Sequence, residues 1–232
     1  MQVTILDSPV DLGDQLDGEL SALCRAEHPQ LTIWQSLPAL AVSQKDTLLP
    51  TYAEAVEVLR RDGVETLVRK SGGSAVFQSQ SLFNLTLIWR LQGQTSIPES
   101  YRLMCRPMMD WLGQQGISSQ LHAVDGAFCD GSFNIAVGGK KLAGTAQRWQ
   151  RRKGECKVLG HISIVLSPDY HRELNLINEF YRLAGKPMAY RRQALMDLQS
   201  LVGSINKSDN TFANFARQIG LQYSGSQYEF GQ

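Results

Sequence analysis

The stretch GAFCDGSFNIAVGGKKLAGTAQRW, Gly126 to Trp149, reads as two strands joined at Gly138-Gly139. Paired glycines supply the positive φ that the tightest hairpin turns demand. SQLHAV and FNIAV precede the turn or lead into it, and KLAGTAQRW and CKVLGHISIVL follow it. Four strand candidates within about 50 residues describe an antiparallel meander. Cys129 stands just before the first hairpin strand and Lys141 just after the turn. Cys129 lies several residues further from the turn than Lys141, so strand pairing alone does not bring them together.

Upstream, QLTIWQS, ALAVSQ, ETLVR and SLFNLTLIW carry the β-branched and apolar residues of strands, the last expected to be half-buried. TYAEAVEVLRRDG is helical, with Thr51 and Glu54 spaced as a capping box and Gly63 as its stop. SIPESYRLMCRPMMDWLGQQG is a second helix with Ser96 and Glu99 as its capping box, and Pro107 is expected to kink or split it. Downstream, YHRELNLINEFYRLAG, YRRQALMDLQSLVG and NTFANFARQIG are helical patterns, and LQYSGSQYEF reads as a last strand. The expected class is α+β, an antiparallel or mixed sheet flanked by helices with a helical C-terminal part. Residues 1–232 form one expected catalytic domain, with 168–232 a helical extension packed on it.

The chain's 232 residues, 43% hydrophobic and 19% charged, are enough for a core without disulfide staples. A net charge of +1 gives no bulk attraction to nucleic acid. No apolar run approaches the roughly 20 residues that cross a bilayer, and the acidic start does not read as a signal peptide. A cytoplasmic protein without nucleic-acid or membrane partners is expected. Cys24, Cys105, Cys129 and Cys156 form no CxxC pair, and the four histidines have no HExxH or HxH spacing, so no metal site is expected. Cys24 and Cys105 read as core thiols.

Three places can carry chemistry. In VRKSGGSAVF, Val68 to Phe77, Ser71-Gly72-Gly73 is either a plain hairpin turn or a loop whose backbone approaches a ligand, with Arg69 able to neutralise an anion. It lacks the GK[ST] of a phosphate loop and the GxGxxG of a dinucleotide fold. Cys129 is either a thiol beside a hairpin or a nucleophile that Lys141 assists. Its glycine-flanked loop favours exposure, and Asp130 beside it opposes a thiolate. His161, alone on a strand, is usually satisfied by the core or by water. The run Arg148, Arg151, Arg152, Lys153 is either a solvated face or a dock for an acidic partner.

VRKSGGSAVFQSQSLFNLTLI resembles the R-x-SGG-x-AV signature of the lipoate–protein ligase and octanoyltransferase superfamily. GGKKLAGTAQRW is similar to that family's G-x-K-hydrophobic-[AS]-G-[STI]-[AS]-Q segment, and GHISIVL to its HG[ST] strand. SQKDTLLPTYAEAVEVLRRDG resembles the stretch before the SGG strand. CDGSFN is similar to the C-x-G-S-[YF]-[DN] of the cysteine-dependent branch, as is INEFYRLAG. Ser74 stands where ligases usually have a third glycine, and Ile162 where the family has Gly after His.

The resemblance implies a biotin/lipoate protein ligase-like fold and a two-step transfer of an octanoyl or lipoyl group. Cys129 would form a thioester and Lys141 would hold the acyl carbonyl oxygen. Arg69, Ser71, Gly72, Gly73, Ala75 and Val76 would line the acyl pocket. Gly144, Thr145 and Ala146 would supply backbone beside the carbonyl, and His161 would either assist proton transfer or, the preferred role, shape the pocket. The implied acceptor is the lipoyl domain of a 2-oxoacid dehydrogenase E2 or the glycine cleavage H protein. The donor would be an acylated H protein or an acyl-carrier protein, with no cofactor. Two alternatives stay open: a ligase using ATP and Mg²⁺, with Cys129 incidental, and a non-catalytic protein that binds lipoyl domains or acyl carriers.

Overall fold

The computed structural model describes residues 1–91, 93–152, 154–202, 211–225, 227, 228 and 230. A large mixed sheet forms its centre. β1 (Gln2–Ile5) pairs in parallel with β2 (Gln30–Trp34), which pairs antiparallel with β6 (Leu82–Arg90). Beyond β6 come β10 (Glu155–Val165), β9 (Lys140–Arg152), β8 (Ile135–Val137) and β7 (Gln120–Leu121), all antiparallel. The expected meander is therefore present. A second sheet places β3 (Ala39–Ser43) between β4 (Glu65–Arg69), parallel to it, and β5 (Val76–Gln78), antiparallel.

β6 is buried along both faces rather than half-buried. Strands β2 and β10 flank it, and the helices explain both coverings. Phe83, Leu85, Leu87 and Trp89 pack into the main core with α3 (Ile97–Gln114) and α6 (Phe212–Ser224). The alternate residues face the other way: Ile88 meets Leu23 of α1 (Leu12–Arg25), and Leu82 joins the core around α2 (Tyr52–Arg61) and α4 (Tyr170–Leu183). Period-two alternation holds, but each side has its own helical layer. On that second face Asn84 lines a cleft between the large sheet, α1 and the small sheet, and Thr86 donates to Glu19 of α1.

Other expectations are corrected by packing. α2 forms, but the Thr51 hydroxyl caps nothing in it and instead donates to the Leu183 carbonyl at 2.6 Å, tying α2 to the end of α4. The Ser96–Glu99 capping box is present, and α3 runs unbroken through Pro107. YRRQALMDLQSLVG is not one helix. It contains a 3-10 turn, Arg192–Ala194, and a short α5, Leu198–Val202, because Leu195 bridges to Lys141 and Met196 N–H donates to the Lys141 carbonyl. Gly203 lies outside the described residues, as does Asn210 at the start of NTFANFARQIG. LQYS ends α6 instead of forming a strand, and Phe230 packs against Trp89 and Tyr223. Ser226 and Glu229 lie outside the described residues. Cys24 is exposed rather than in the core, since α1 buries the stripe through Leu12, Glu19 and Leu23 and Cys24 falls one step round the helix. Among the described residues no helix is long and apolar enough to cross a membrane.

Candidate active site

The SGG element is not a hairpin. β4 and β5 lie on opposite sides of β3, so residues 70–75 form a crossover loop. Arg69, at the end of β4 and 8% exposed, reaches back through that loop. Its Nη1 donates to Ser71 Oγ at 2.9 Å and to the Gly72 carbonyl, and its Nη2 donates to the Ser74 carbonyl at 2.9 Å. The same Nη2 is 3.5 Å from Cys129 Sγ. Gly73, at φ 104°, lies under both groups: a Cβ there would overlap the Cys129 sulfur and stand 2.7 Å from Arg69 Nη2. A left-handed backbone and a close approach both demand glycine at this position.

Cys129 is buried, contrary to the exposure its flanking glycines suggested. Among the described residues it is the one non-glycine residue with a positive φ, at 45°. Both sides of its backbone are held. Its N–H donates to Ser74 Oγ at 2.8 Å, and its carbonyl accepts from Lys141 Nζ at 2.7 Å. Asp130, the next residue, is held by its own hydrogen bonds. Its Oδ1 accepts from Val124 N–H, Gly131 N–H and Asn134 Nδ2, which closes the loop around the cysteine.

Lys141 reaches the cysteine loop although strand register did not require it. The Gly138-Gly139 turn, with φ of 56° and 74°, pairs Ala136 with Lys141. The side chain is fully buried, and Nζ donates to the carbonyls of Phe128, at 2.6 Å, and Cys129. Burial pushes the ammonium down to about 8, against the opposing pull of Cys129 and Asp130. An ammonium has three N–H bonds, so one remains beyond these two carbonyls. Gly144 keeps space open beside Nζ, since a Cβ there would lie 3.0 Å from it.

Cys129, Lys141, Arg69, Ser71, Val76, Gly144, Thr145, Ala146 and His161 all border one cleft with about 580 Å³ of empty space, its open mouth included. Gly72 and Gly73 border instead a more open outer depression, which also takes in Cys129, Thr145, Ala146 and the stacked Tyr101 and Phe133 rings. Cys129 thus stands where an inner cleft meets an outer one. Ala75 lines neither; it is wholly buried and its N–H donates to Tyr181 Oη at 2.7 Å.

Several cleft residues escaped the sequence reading. Leu12 and Leu16 come from α1, where no element was assigned, and Trp34 and Ala41 from two different strands. Gln78, Asn84 and Ser163 form a hydrogen-bonded chain on its floor, with Asn84 Nδ2 to Gln78 Oε1 at 2.9 Å and Ser163 Oγ to Asn84 Oδ1 at 2.6 Å. Asn84 and Thr86, two polar residues alternating with apolar ones in a central strand, are the signal that could have found this face. His161 Nε2 contacts Glu19 Oε2 at 2.8 Å. Burial pushes the Glu19 carboxyl up, but His161 and the bonds from Thr86 and Gln15 outweigh it and hold the group below its usual range. His161 therefore latches α1 onto β10 beside the cleft. Arg148 borders a neighbouring depression with Ser71 and His161. Arg151 and Arg152 lie ten and eleven residues along β9 from Lys141, on the order of 30 Å at about 3.3 Å per strand residue. They flank no part of the cleft, and Lys153 lies outside the described residues. Among the described residues no three His, Cys, Asp or Glu side chains gather as a metal site requires.

The architecture is that of the lipoate–protein ligases. Lipoate-protein ligase A in its ATP-bound crystal structure superposes with a TM-score of 0.71 over 96% of this chain and 85% of its own, at 14% identity. The bipartite lipoate protein ligase of Thermoplasma acidophilum gives 0.68 over 96% and 83%, also at 14% identity. The lipoyl protein ligase A/B catalytic domain model matches residues 16–219, and the chain belongs to that family. An octanoyl-[GcvH]:protein N-octanoyltransferase of Kyrpidia tusciae is 30% identical over 183 residues, 75% of this chain and 63% of the relative. The corresponding protein of Geobacillus kaustophilus is 31% identical over 151 residues, 65% and 52%. A lipoyl-[GcvH]:protein N-lipoyltransferase of Listeria monocytogenes is 26% identical over 154 residues, 66% and 54%. The matched region thus spans between half and two thirds of these relatives' length.

Proposed function

We propose that this chain is an acyltransferase that moves an octanoyl or lipoyl group through a Cys129 thioester onto the lysine of a lipoyl domain. The observation that carries the proposal is that Cys129 borders both cavities, with its sulfur beside the Arg69 guanidinium and its carbonyl on the Lys141 ammonium. The acyl chain occupies the inner cleft, where each buried CH₂ contributes about 0.8 kcal/mol. The lysine arm of the protein substrate approaches from the outer depression. Residues 1–232 act as one catalytic domain, with 168–232 as its helical extension.

In the first step the sulfur loses its proton and bonds the acyl carbon of an acyl-lysine. Arg69 Nη2 donates to the sulfur as charge develops, and the remaining N–H of Lys141 meets the carbonyl oxygen as it becomes an oxyanion. The adduct collapses to the thioester and expels the donor's lysine, whose nitrogen takes up a proton. In the second step the acceptor's amine attacks the thioester, gives up a proton and returns the sulfur. One lysine amide replaces another, so the exchange needs no nucleotide. The relatives' names favour acylated H protein as donor, and the lipoyl domain of a 2-oxoacid dehydrogenase E2, the kind of domain paired with the Thermoplasma acidophilum ligase, serves as acceptor.

Incubation with octanoylated H protein and an apo lipoyl domain, without ATP, tests the proposal. Mass analysis should show the octanoyl group on the lipoyl domain. Transfer only from free octanoate with ATP and Mg²⁺ would replace this proposal with a ligase. Transfer only from octanoyl acyl-carrier protein would keep the chemistry and change the donor.

A further inference from the structure

Two tyrosines outside the cleft converge on the residues that hold Cys129. Tyr181 lies near the end of α4, and Tyr190 in the segment that follows it. Tyr181 Oη accepts from Ala75 N–H at 2.7 Å and donates to Asp46 Oδ1 at 2.9 Å. Asp46 is itself buried, its other oxygen accepting from the N–H and hydroxyl of Ser43, each at 2.8 Å. Tyr190 Oη donates to Ser74 Oγ at 3.2 Å, and Ser74 Oγ accepts the Cys129 N–H. The Tyr190 backbone is pinned on both sides by Asn178, whose side chain accepts from its N–H at 3.0 Å and donates to its carbonyl at 3.2 Å. The next residue closes the loop from the other side: Arg191 N–H donates to the Gly126 carbonyl at 2.8 Å, and its guanidinium pairs with Asp125 at 2.7 Å.

These contacts bear on the strain at the cysteine. A cysteine at φ 45° sits in a conformation that costs free energy unless its surroundings impose it. Lys141 restrains only the carbonyl side of that residue. Among the described residues the amide side has a single acceptor, the Ser74 hydroxyl, and with glycine at 74 that N–H would lose it. Burial raises both tyrosine phenols, so each keeps its proton and acts as a fixed donor.

We infer that Ser74 and Tyr190 are positioning residues that hold the Cys129 amide, and through it the direction of the sulfur, with Tyr190 acting through the Ser74 hydroxyl. The inference rests on the reading of Cys129 as the nucleophile. It gives the segment after α4 a specific part in the active site, that of a strap across the cysteine loop.

The test uses the full chain with Ser74→Ala, Tyr190→Phe and the double variant. Two readouts are taken: octanoyl transfer from octanoylated H protein to an apo lipoyl domain, and the iodoacetamide alkylation rate of Cys129 followed by peptide mass. Misplacement of a reacting group costs rate rather than binding, so Ser74→Ala should lower kcat at least about tenfold with KM for the lipoyl domain within about twofold. Tyr190→Phe should lower it less, and the double variant should be no slower than Ser74→Ala, because both act on one contact. The Cys129 alkylation rate should shift in the same order. Ser74→Thr, which keeps the hydroxyl, should restore most of kcat. Wild-type kcat and alkylation rate in Ser74→Ala, or losses that multiply in the double variant, would overturn the inference. The alkylation readout does not depend on acyl transfer. An inactive Cys129→Ala beside a wild-type Ser74→Ala would sink the positioning role alone, whereas an active Cys129→Ala would sink the nucleophile.

Discussion

Lys141 shows what a buried charge costs and what it provides. Among the described residues no carboxylate hydrogen-bonds it; two carbonyls and the Phe128 ring, 5.1 Å from Nζ, receive it instead. Its value in the folded protein, about 8, lies below the roughly 10.4 of an unfolded lysine. Between those values the unfolded chain holds a proton that the folded chain has released, so stability rises with pH across that window. Denaturant unfolding should therefore show wild type gaining on Lys141→Met as pH goes from about 8 to about 10.5, by on the order of 3 kcal/mol. A constant difference between the two proteins over that range would mean the ammonium is not buried. Sequence offered Lys141 as a possible aid to Cys129, and the resemblance gave it a defined role. Its contact with the cysteine loop depends on side-chain reach across a turn, which strand spacing does not encode.

The helix α1 illustrates the opposite case, an element whose role was not legible at all. Its pattern mixes buried Leu12 and Leu23 with a buried Glu19, and a buried carboxylate breaks the apolar stripe that periodicity searches for. Only the partners make sense of it: Glu19 accepts from Thr86 Oγ1 at 2.6 Å and meets His161, and Thr86 in turn accepts from Trp34 Nε1 at 2.9 Å. Removing the carboxylate leaves buried donors unmatched, so Glu19→Ala should cost about 2–4 kcal/mol of unfolding free energy near neutral pH. The sign with pH follows from the lowered Glu19 value. The contribution is complete above the roughly 4.3 of an unfolded glutamate and is lost as pH falls through the folded value. Wild type and Glu19→Ala should therefore converge in stability as pH drops below about 4. Because Leu12 and Leu16 line the cleft from the same helix, Glu19→Ala should also weaken acyl-chain binding, seen as a raised KM. The hairpin strands and α2 to α4 were legible because a single period and clear stop signals mark them. The strap after α4 was not, because Leu195 and Met196 are fixed by Lys141 across the fold rather than by local pattern.

The molecule as a whole assembles its candidate site from segments far apart in sequence: the crossover loop at 69–75, the cysteine loop at 122–131, the β8–β9 hairpin, and α1. Class and sheet character could be read from the meander and the helical C-terminal stretch, since they rest on local periodicity. Two sheets bordering one cleft could not, because the SGG loop reads locally as a hairpin and only the placement of β3 between β4 and β5 makes it a crossover. Everything proposed for this site depends on the sulfur of Cys129 carrying the acyl group between proteins. Intact-mass analysis of the chain after brief mixing with octanoylated H protein, without acceptor, reads that step itself. One octanoyl group should be added, located on the Cys129 peptide, released by hydroxylamine and absent in Cys129→Ala, which transfers nothing. An unmodified chain that still transfers octanoate, or a Cys129→Ala variant as active as wild type, would contradict a thioester route.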